Sequence, residues 1–177
     1  AEGGILFNNS YVPNSKSAPC RSILLTGRHS WQLEEAANHW CNFPRKFKTY
    51  PEVLSEEGYF VGYTGKGWGP GNPGKINGEK RQLTGTPYHS KTIEPPASYM
   101  NNEDMAGNFR EFLEDKPSNQ PFCFWYGGYE PYPYKDYKFS PGTEIAGKQT
   151  FTIDSNEVYD FLPDIDSVRK EMLDYAF

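Results

Sequence analysis

Ser17 and Arg21 are the residues of this chain whose types and spacing first suggest chemistry. In SAPCRSILLTGR, Ser17 to Arg28, a hydroxyl stands at what reads as a helix start and an arginine follows four residues on. A helix beginning near Ser17 would offer unpaired N–H groups and the positive end of its dipole to an anion. Four residues is about one turn, so Arg21 shares the face of Ser17. Its planar fork can hold a tetrahedral oxyanion or an oxygen on Ser17. That describes a nucleophile-type side chain in a pocket suited to negative charge. The plainer alternative is a helix cap with a surface arginine, because serine ahead of proline is common at helix starts. Local physics alone favours the cap. Lys66, in GKGWG, reads by itself as a solvated loop lysine. It does not belong to a phosphate-binding P-loop, since Gly67 follows it where Ser or Thr is required and Phe60 stands at the first glycine position.

These residues need elements to hold them. GGILFNNSYV reads as a short strand leaving Gly4, with Ile5 and Phe7 alternating. A helix is expected over Pro19 to Thr26, with proline in the first turn and Gly27 at the exit. TYPEVLSEEG reads as a second helix, with Thr49 as cap and Gly58 as stop. YFVGYTG follows as a strand. Residues 65–98 are dense in Gly, Pro, Asn and Lys and read as a long loop. NNEDMAGNFREFLEDK restores helical periodicity, with Met105, Phe109, Phe112 and Leu113 on one face. PFCFWYGG has the pattern of a strand buried on both faces. An irregular stretch at 129–153 precedes a last helix from about Asp164 to Phe177. Helices alternating with buried strands predict an α/β layered fold with a mostly parallel sheet. The chain opens almost directly on a strand and ends inside an amphipathic helix without a stop signal, so residues 1–177 read as one partial domain.

Bulk composition narrows the partners. The 177 residues allow one modest core, and 36% apolar content argues against disorder. A net charge of -5, with no basic stripe, argues against nucleic acid. No apolar run is long enough to cross a bilayer, and no signal peptide is visible. Cys20, Cys41 and Cys123 are odd in number and not spaced as a zinc site or a disulfide framework.

The flanking residues then add a resemblance. Ser17, Pro19, Arg21, Leu25, Thr26 and Gly27 occupy the six defined positions of the type I sulfatase motif. There, Cys or Ser is followed by x-Pro-x-Arg and, shortly after, Leu-Thr-Gly. With Ser17 first and Cys20 fourth, the chain resembles the serine-type variant, in which a radical-SAM maturase oxidises the serine to formylglycine. SEEGYFVGYTGKGWGPG is similar to the family's helix–strand–Gly-Lys segment, which places Lys66 at its catalytic lysine. QPFCFWYGGYEPYPY resembles the strand and loop that carry its Glu-Pro-His element, and FLPDIDSVRKEMLDY is closest to the heparan N-sulfatase (sulfamidase) branch.

The resemblance implies an alkaline-phosphatase-like α/β/α sandwich and a hydrolase of sulfuric esters or sulfamides. The substrate would be a sulfated carbohydrate such as a glycosaminoglycan. Hydrated formylglycine would attack sulfur with one hydroxyl and expel sulfate with the other. Arg21 would support it, and Lys66 would neutralise sulfate oxygens. A divalent metal, calcium in most relatives, would bind the oxygen at position 17 and carboxylates. The family's first Asp-Asp metal pair lies upstream of this sequence and its second pair beyond Phe177. The polypeptide thus carries the nucleophile without the metal cage, and alone it is expected to be inactive. Tyr132 stands where a histidine is customary, and Trp68 where another is, two residues after the lysine. Relatives imply export, for instance to the periplasm.

Further candidates are weaker. His29, directly after the motif, reads equally as a substrate contact or a loop residue. Tyr132 and Tyr134, in a Pro-rich loop with Tyr129 and Tyr137, can stack on sugar rings. Glu34, Glu35 and Asn38 read as a solvated helix face, His39 as structural, and His89 has no evident partner. Two other readings compete with the sulfatase: a non-catalytic carbohydrate-binding relative in which Ser17 stays serine, and a phosphoryl-transfer enzyme of the same superfamily. The Pro19, Arg21 and Leu25-Thr26-Gly27 spacing argues against the second.

Overall fold

The structure is a computed structural model describing residues 3–95, 100–129 and 158–176. Chain contacts divide it into two compact units, residues 1–90 with 105–127 and residues 91–104 with 128–177.

The first unit is built on a parallel sheet. Its elements, in chain order, are α1 (Ser17–Thr26), β1 (Cys41–Asn42), α2 (Tyr50–Glu56), β2 (Phe60–Gly65), β3 (Gly71–Asn72), β4 (Lys75–Ile76), β5 (Glu79–Lys80), β6 (Thr86–Pro87), α3 (Met105–Asp115) and β7 (Phe122–Gly127). Two short 3₁₀ turns, Ser30–Gln32 and Glu34–Ala37, follow α1. The main sheet has the order β6-β2-β7, with both pairings parallel and β2 in register with β7 from Phe60↔Phe122 to Gly65↔Gly127.

Alternation along the strands puts a helix on each face. On one face Gly62 leaves room for the fully buried ring of Phe112 from α3, since a Cβ there would lie 2.7 Å from that ring. Phe112 meets Phe60, Tyr88, Phe109, Phe122 and Phe124 at centroid distances of 4.6 to 6.1 Å. On the other face Trp125 packs against a core of Leu25, Leu33, Ala36, Phe43, Phe47 and Leu83, which draws in α1. This is the layered α/β arrangement with a parallel sheet that the alternation of helices and strands predicts.

Several boundaries differ from the sequence expectation. Residues 4–10 form no strand. Ile5, Leu6 and Phe7 are exposed, and among the described residues no neighbour offers them a ladder. The first helix starts two residues early, at Ser17. The stretch read as one long loop holds four two-residue strands, one of which, β6, completes the sheet. β7 is not buried on both faces, because Phe122 and Tyr126 remain 44% and 66% exposed. Leu113 points partly to solvent on α3.

In the second unit an antiparallel bridge joins Thr92 to Glu103, whose carboxylate accepts a hydrogen bond from Tyr129 Oη at 3.3 Å. α4 (Asp166–Ala176) begins two residues later than expected, and Asp164, just ahead of it, pairs with Arg169 within the helix at 2.5 Å. Tyr132, Tyr134 and Tyr137, with most of the irregular 129–153 stretch, lie outside the described residues.

Candidate active site

The start of α1 decides what Ser17 is free to do. The N-cap is Lys16, whose backbone is extended and whose side chain makes no capping bond, so Ser17 is the first helical residue. Pro19 fits the first turn, where a missing N–H costs nothing. Gly27 ends the helix at φ 65°, donating its N–H to Ile23 O at 2.8 Å. The Ser17 hydroxyl is therefore not acting as the cap. It is half-buried and accepts a hydrogen bond from Lys66 Nζ at 2.8 Å, across 49 residues of sequence. Arg21, one turn on, donates from Nη1 to the Ser17 carbonyl at 3.3 Å.

Lys66 is placed by its backbone. It follows β2 directly, and its N–H donates to Gly127 O at 2.7 Å while its carbonyl accepts from Trp125 Nε1 at 3.1 Å. Gly65 turns the chain at φ 70°, a conformation that side chains disfavour. The two strand ends come so close that a Cβ on Gly65 would lie 2.2 Å from Gly127 O, and one on Gly127 2.1 Å from Lys66 O. Burial holds the Lys66 ammonium below its ordinary value, and the neighbouring charge of Arg21 adds to that shift. One cation thus meets the Ser17 hydroxyl and a second meets the carbonyl of the same residue, at a helix N-terminus. Such a place stabilises negative charge.

The structure brings together Ser17, Arg21 and Lys66 of the residues singled out from sequence. It does not bring His29 to them. That residue is exposed beyond the far end of α1, stacks on Trp31 at 6.3 Å, and donates its backbone N–H to Gln32 Oε1 at 3.0 Å. Ten helical residues separate the two ends by about 15 Å. Glu34 pairs with Lys46 at 2.5 Å, and Glu35 and Asn38 are exposed. His89 has a ring partner after all, meeting Tyr63 edge-on at 5.1 Å. Sequence reasoning reads Trp125 as core, which it is, but missed its bond to the Lys66 carbonyl, the role of Gly127 and the seating of Trp68. The signal was present as an apolar run ending in Gly-Gly, which reads as core and carries no hint of what its backbone holds.

A hard dication takes oxygen ligands, carboxylates above all. The side chains meeting Ser17 are an ammonium and a guanidinium. Among the described residues no three Asp, Glu, His or Cys side chains gather to hold a metal. The described residues around Ser17 fit an oxyanion and offer a dication no carboxylate of their own.

A sulfatase family model matches residues 1–168. The chain is similar to an N-acetylglucosamine-6-O-sulfatase of Bacteroides thetaiotaomicron, at 26% identity over 153 residues, which are 80% of this chain and 26% of that protein. It thus spans about a quarter of that relative's length. No solved structure matches the chain. The matched residues include the hydroxyl, both cations and the whole parallel sheet that sets them. On that footing the chain belongs to the sulfatase family, and its α/β architecture is that family's alkaline-phosphatase-like fold.

Proposed function

We propose that this chain is the nucleophile-bearing part of a type I sulfatase that releases sulfate from a carbohydrate. The observation that carries the reading is the 2.8 Å contact from Lys66 Nζ to a Ser17 hydroxyl that the helix does not use as its cap, with Arg21 on the next turn. The substrate is a sulfated sugar. The likeness to an N-acetylglucosamine-6-O-sulfatase favours an O-sulfate ester over the N-sulfate of the sulfamidase branch.

The reactive group is formylglycine, made from Ser17 by a radical-SAM maturase. A half-buried hydroxyl beside an ammonium fits that role. When present and hydrated, it supplies one hydroxyl to attack sulfur and a second whose deprotonation frees the bound sulfate. Lys66 donates a hydrogen bond to the oxygen at position 17 and neutralises charge gathering on the sulfate oxygens. Arg21 fixes the first turn of α1 through the Ser17 carbonyl and adds a second positive charge. The helix start adds its dipole. Carboxylates for calcium would come from residues other than those described. Export, to the periplasm or beyond, is part of the same proposal.

Peptide mass spectrometry tests it directly. The fragment Ser17–Arg21, from protein made in a host with the maturase, is expected to be two hydrogens lighter and to be trapped by an aldehyde-reactive hydrazide. An unmodified serine in that host would sink the formylglycine assignment and put a carbohydrate-binding role ahead. Sulfate release from 6-O-sulfated N-acetylglucosamine, set against N-sulfated glucosamine and assayed on full-length protein, then decides the leaving group.

A further inference from the structure

Trp68 stands two residues after Lys66, near where the resemblance expects a histidine. Its one donor points to α1. The indole Nε1 donates to Ser22 Oγ at 2.8 Å, and Ser22 Oγ donates in turn to Ala18 O at 2.9 Å, within the first turns of α1. Ser22 is fully buried. Its hydroxyl has one proton, already given to Ala18, so it is available to Trp68 as an acceptor.

The ring itself is held. It meets Phe43 edge-on at 5.3 Å, and a Cβ on Gly71 would lie 2.6 Å from it. Between the lysine and the tryptophan sits only Gly67, where a Cβ would meet Thr84 Oγ1 and the Tyr63 ring, each at 2.7 Å. The three-residue segment therefore has little freedom to shift. It touches α1 at two places, Ser17 through Lys66 and Ser22 through Trp68. Five residues of helix separate those anchors by about 7.5 Å. The bonds from Gly127 and Trp125 seat the Lys66 backbone on the sheet, and the two contacts with α1 set that segment against the helix.

We propose that Trp68 is a positioning residue, its indole N–H tying the Lys66 segment to α1 through Ser22 and so setting the gap between Lys66 Nζ and Ser17 Oγ. This rests on reading Ser17 and Lys66 as an oxyanion site. It assigns Trp68 no contact with substrate.

The test measures inorganic sulfate binding to the chain by titration calorimetry, alongside exchange of the Trp68 indole N–H by NMR. Trp68→Phe keeps a ring and removes the donor. Ser22→Ala removes the acceptor, and Ser22→Thr restores a hydroxyl. Loss of one buried hydrogen bond corresponds to about a three- to tenfold weakening of sulfate affinity in Trp68→Phe and in Ser22→Ala. The double variant should be no worse than either alone, because both break the same bond. Ser22→Thr should recover both the affinity and the slow indole exchange. A purely structural bond would lower the melting temperature and leave sulfate affinity within twofold of wild type, which overturns the proposal. If Trp68→Phe does not fold, Ser22→Ala and Ser22→Thr decide it. Lys66→Met separates the two ideas: if that variant binds sulfate as wild type does, the oxyanion site itself is wrong.

Discussion

At the scale of single residues, the ammonium of Lys66 is where charge and geometry meet. Replacing it with methionine keeps the stem and removes the charge. Sulfate affinity is expected to fall at least about tenfold, the usual worth of a charge-assisted bond, as read by calorimetry. Gly127 is the less obvious site. A methyl group there would stand 2.1 Å from the Lys66 carbonyl, so Gly127→Ala must push the lysine backbone away from β7. The expected outcome is a loss of about 1–3 kcal/mol of stability, typical of forced overpacking, in denaturant titration. Sulfate binding should weaken in the same variant. What could be read from sequence at this scale was uneven. The Ser17–Arg21 spacing gave one face of one helix, because helical period is local. Two alternatives remained for Ser17, and only the Lys16 N-cap and a partner 49 residues away choose between them. No local pattern carries that information.

At the scale of elements, α2 shows how the stretch between β2 and β6 is fastened. Thr49 caps the helix, and Glu52 accepts the Thr49 N–H at 2.8 Å. Glu52 also takes Arg81 Nε at 2.5 Å, and Arg81, buried under the ring of Phe43, donates to the Phe47 carbonyl. Burial alone would raise the Glu52 carboxyl, but the bonds from Arg81 and Thr49 outweigh it and hold it below its ordinary 4.5. A carboxyl lowered by folding adds stability above its unfolded value and loses it as pH falls through the folded one. Melting temperature is therefore expected to drop below about pH 4.5. Glu52→Gln should flatten that part of the curve and cost about 3 kcal/mol at neutral pH, since it leaves Arg81 buried without its countercharge. The Thr49 cap was legible in TYPE, and so were the helix stop at Gly58 and both long strands, whereas the return bond from Glu52 was not read. The four short strands were not. Two residues make no periodicity, and a Gly- and Pro-rich stretch reads as loop even where β6 completes a sheet.

At the scale of the whole molecule, the first unit carries an apolar groove of its own. Met105, Ala106, Phe109, Phe122, Phe124 and Tyr126 line a groove of about 480 Å³ between α3 and β7. Apolar surface of that kind takes up apolar dyes. Anilinonaphthalene sulfonate should fluoresce on the native chain, and Ala106→Trp, which fills the groove from the exposed face of α3, should reduce that signal with the circular dichroism unchanged. Wild-type dye binding retained in Ala106→Trp would place the dye elsewhere. The layered α/β class was readable from the alternation of element types. The openness of β7 was not, since an apolar run looks the same whether one face is covered or two.

The 49 residues between Ser17 and its ammonium also set an order of events. During synthesis the first turn of α1 is complete before Lys66 exists, and β7, whose backbone fixes that lysine, comes about sixty residues later still. Until then the hydroxyl has no ammonium beside it. Docking of the sheet onto the helix ends that interval, and only then does the hydroxyl gain its ammonium and its half-buried setting.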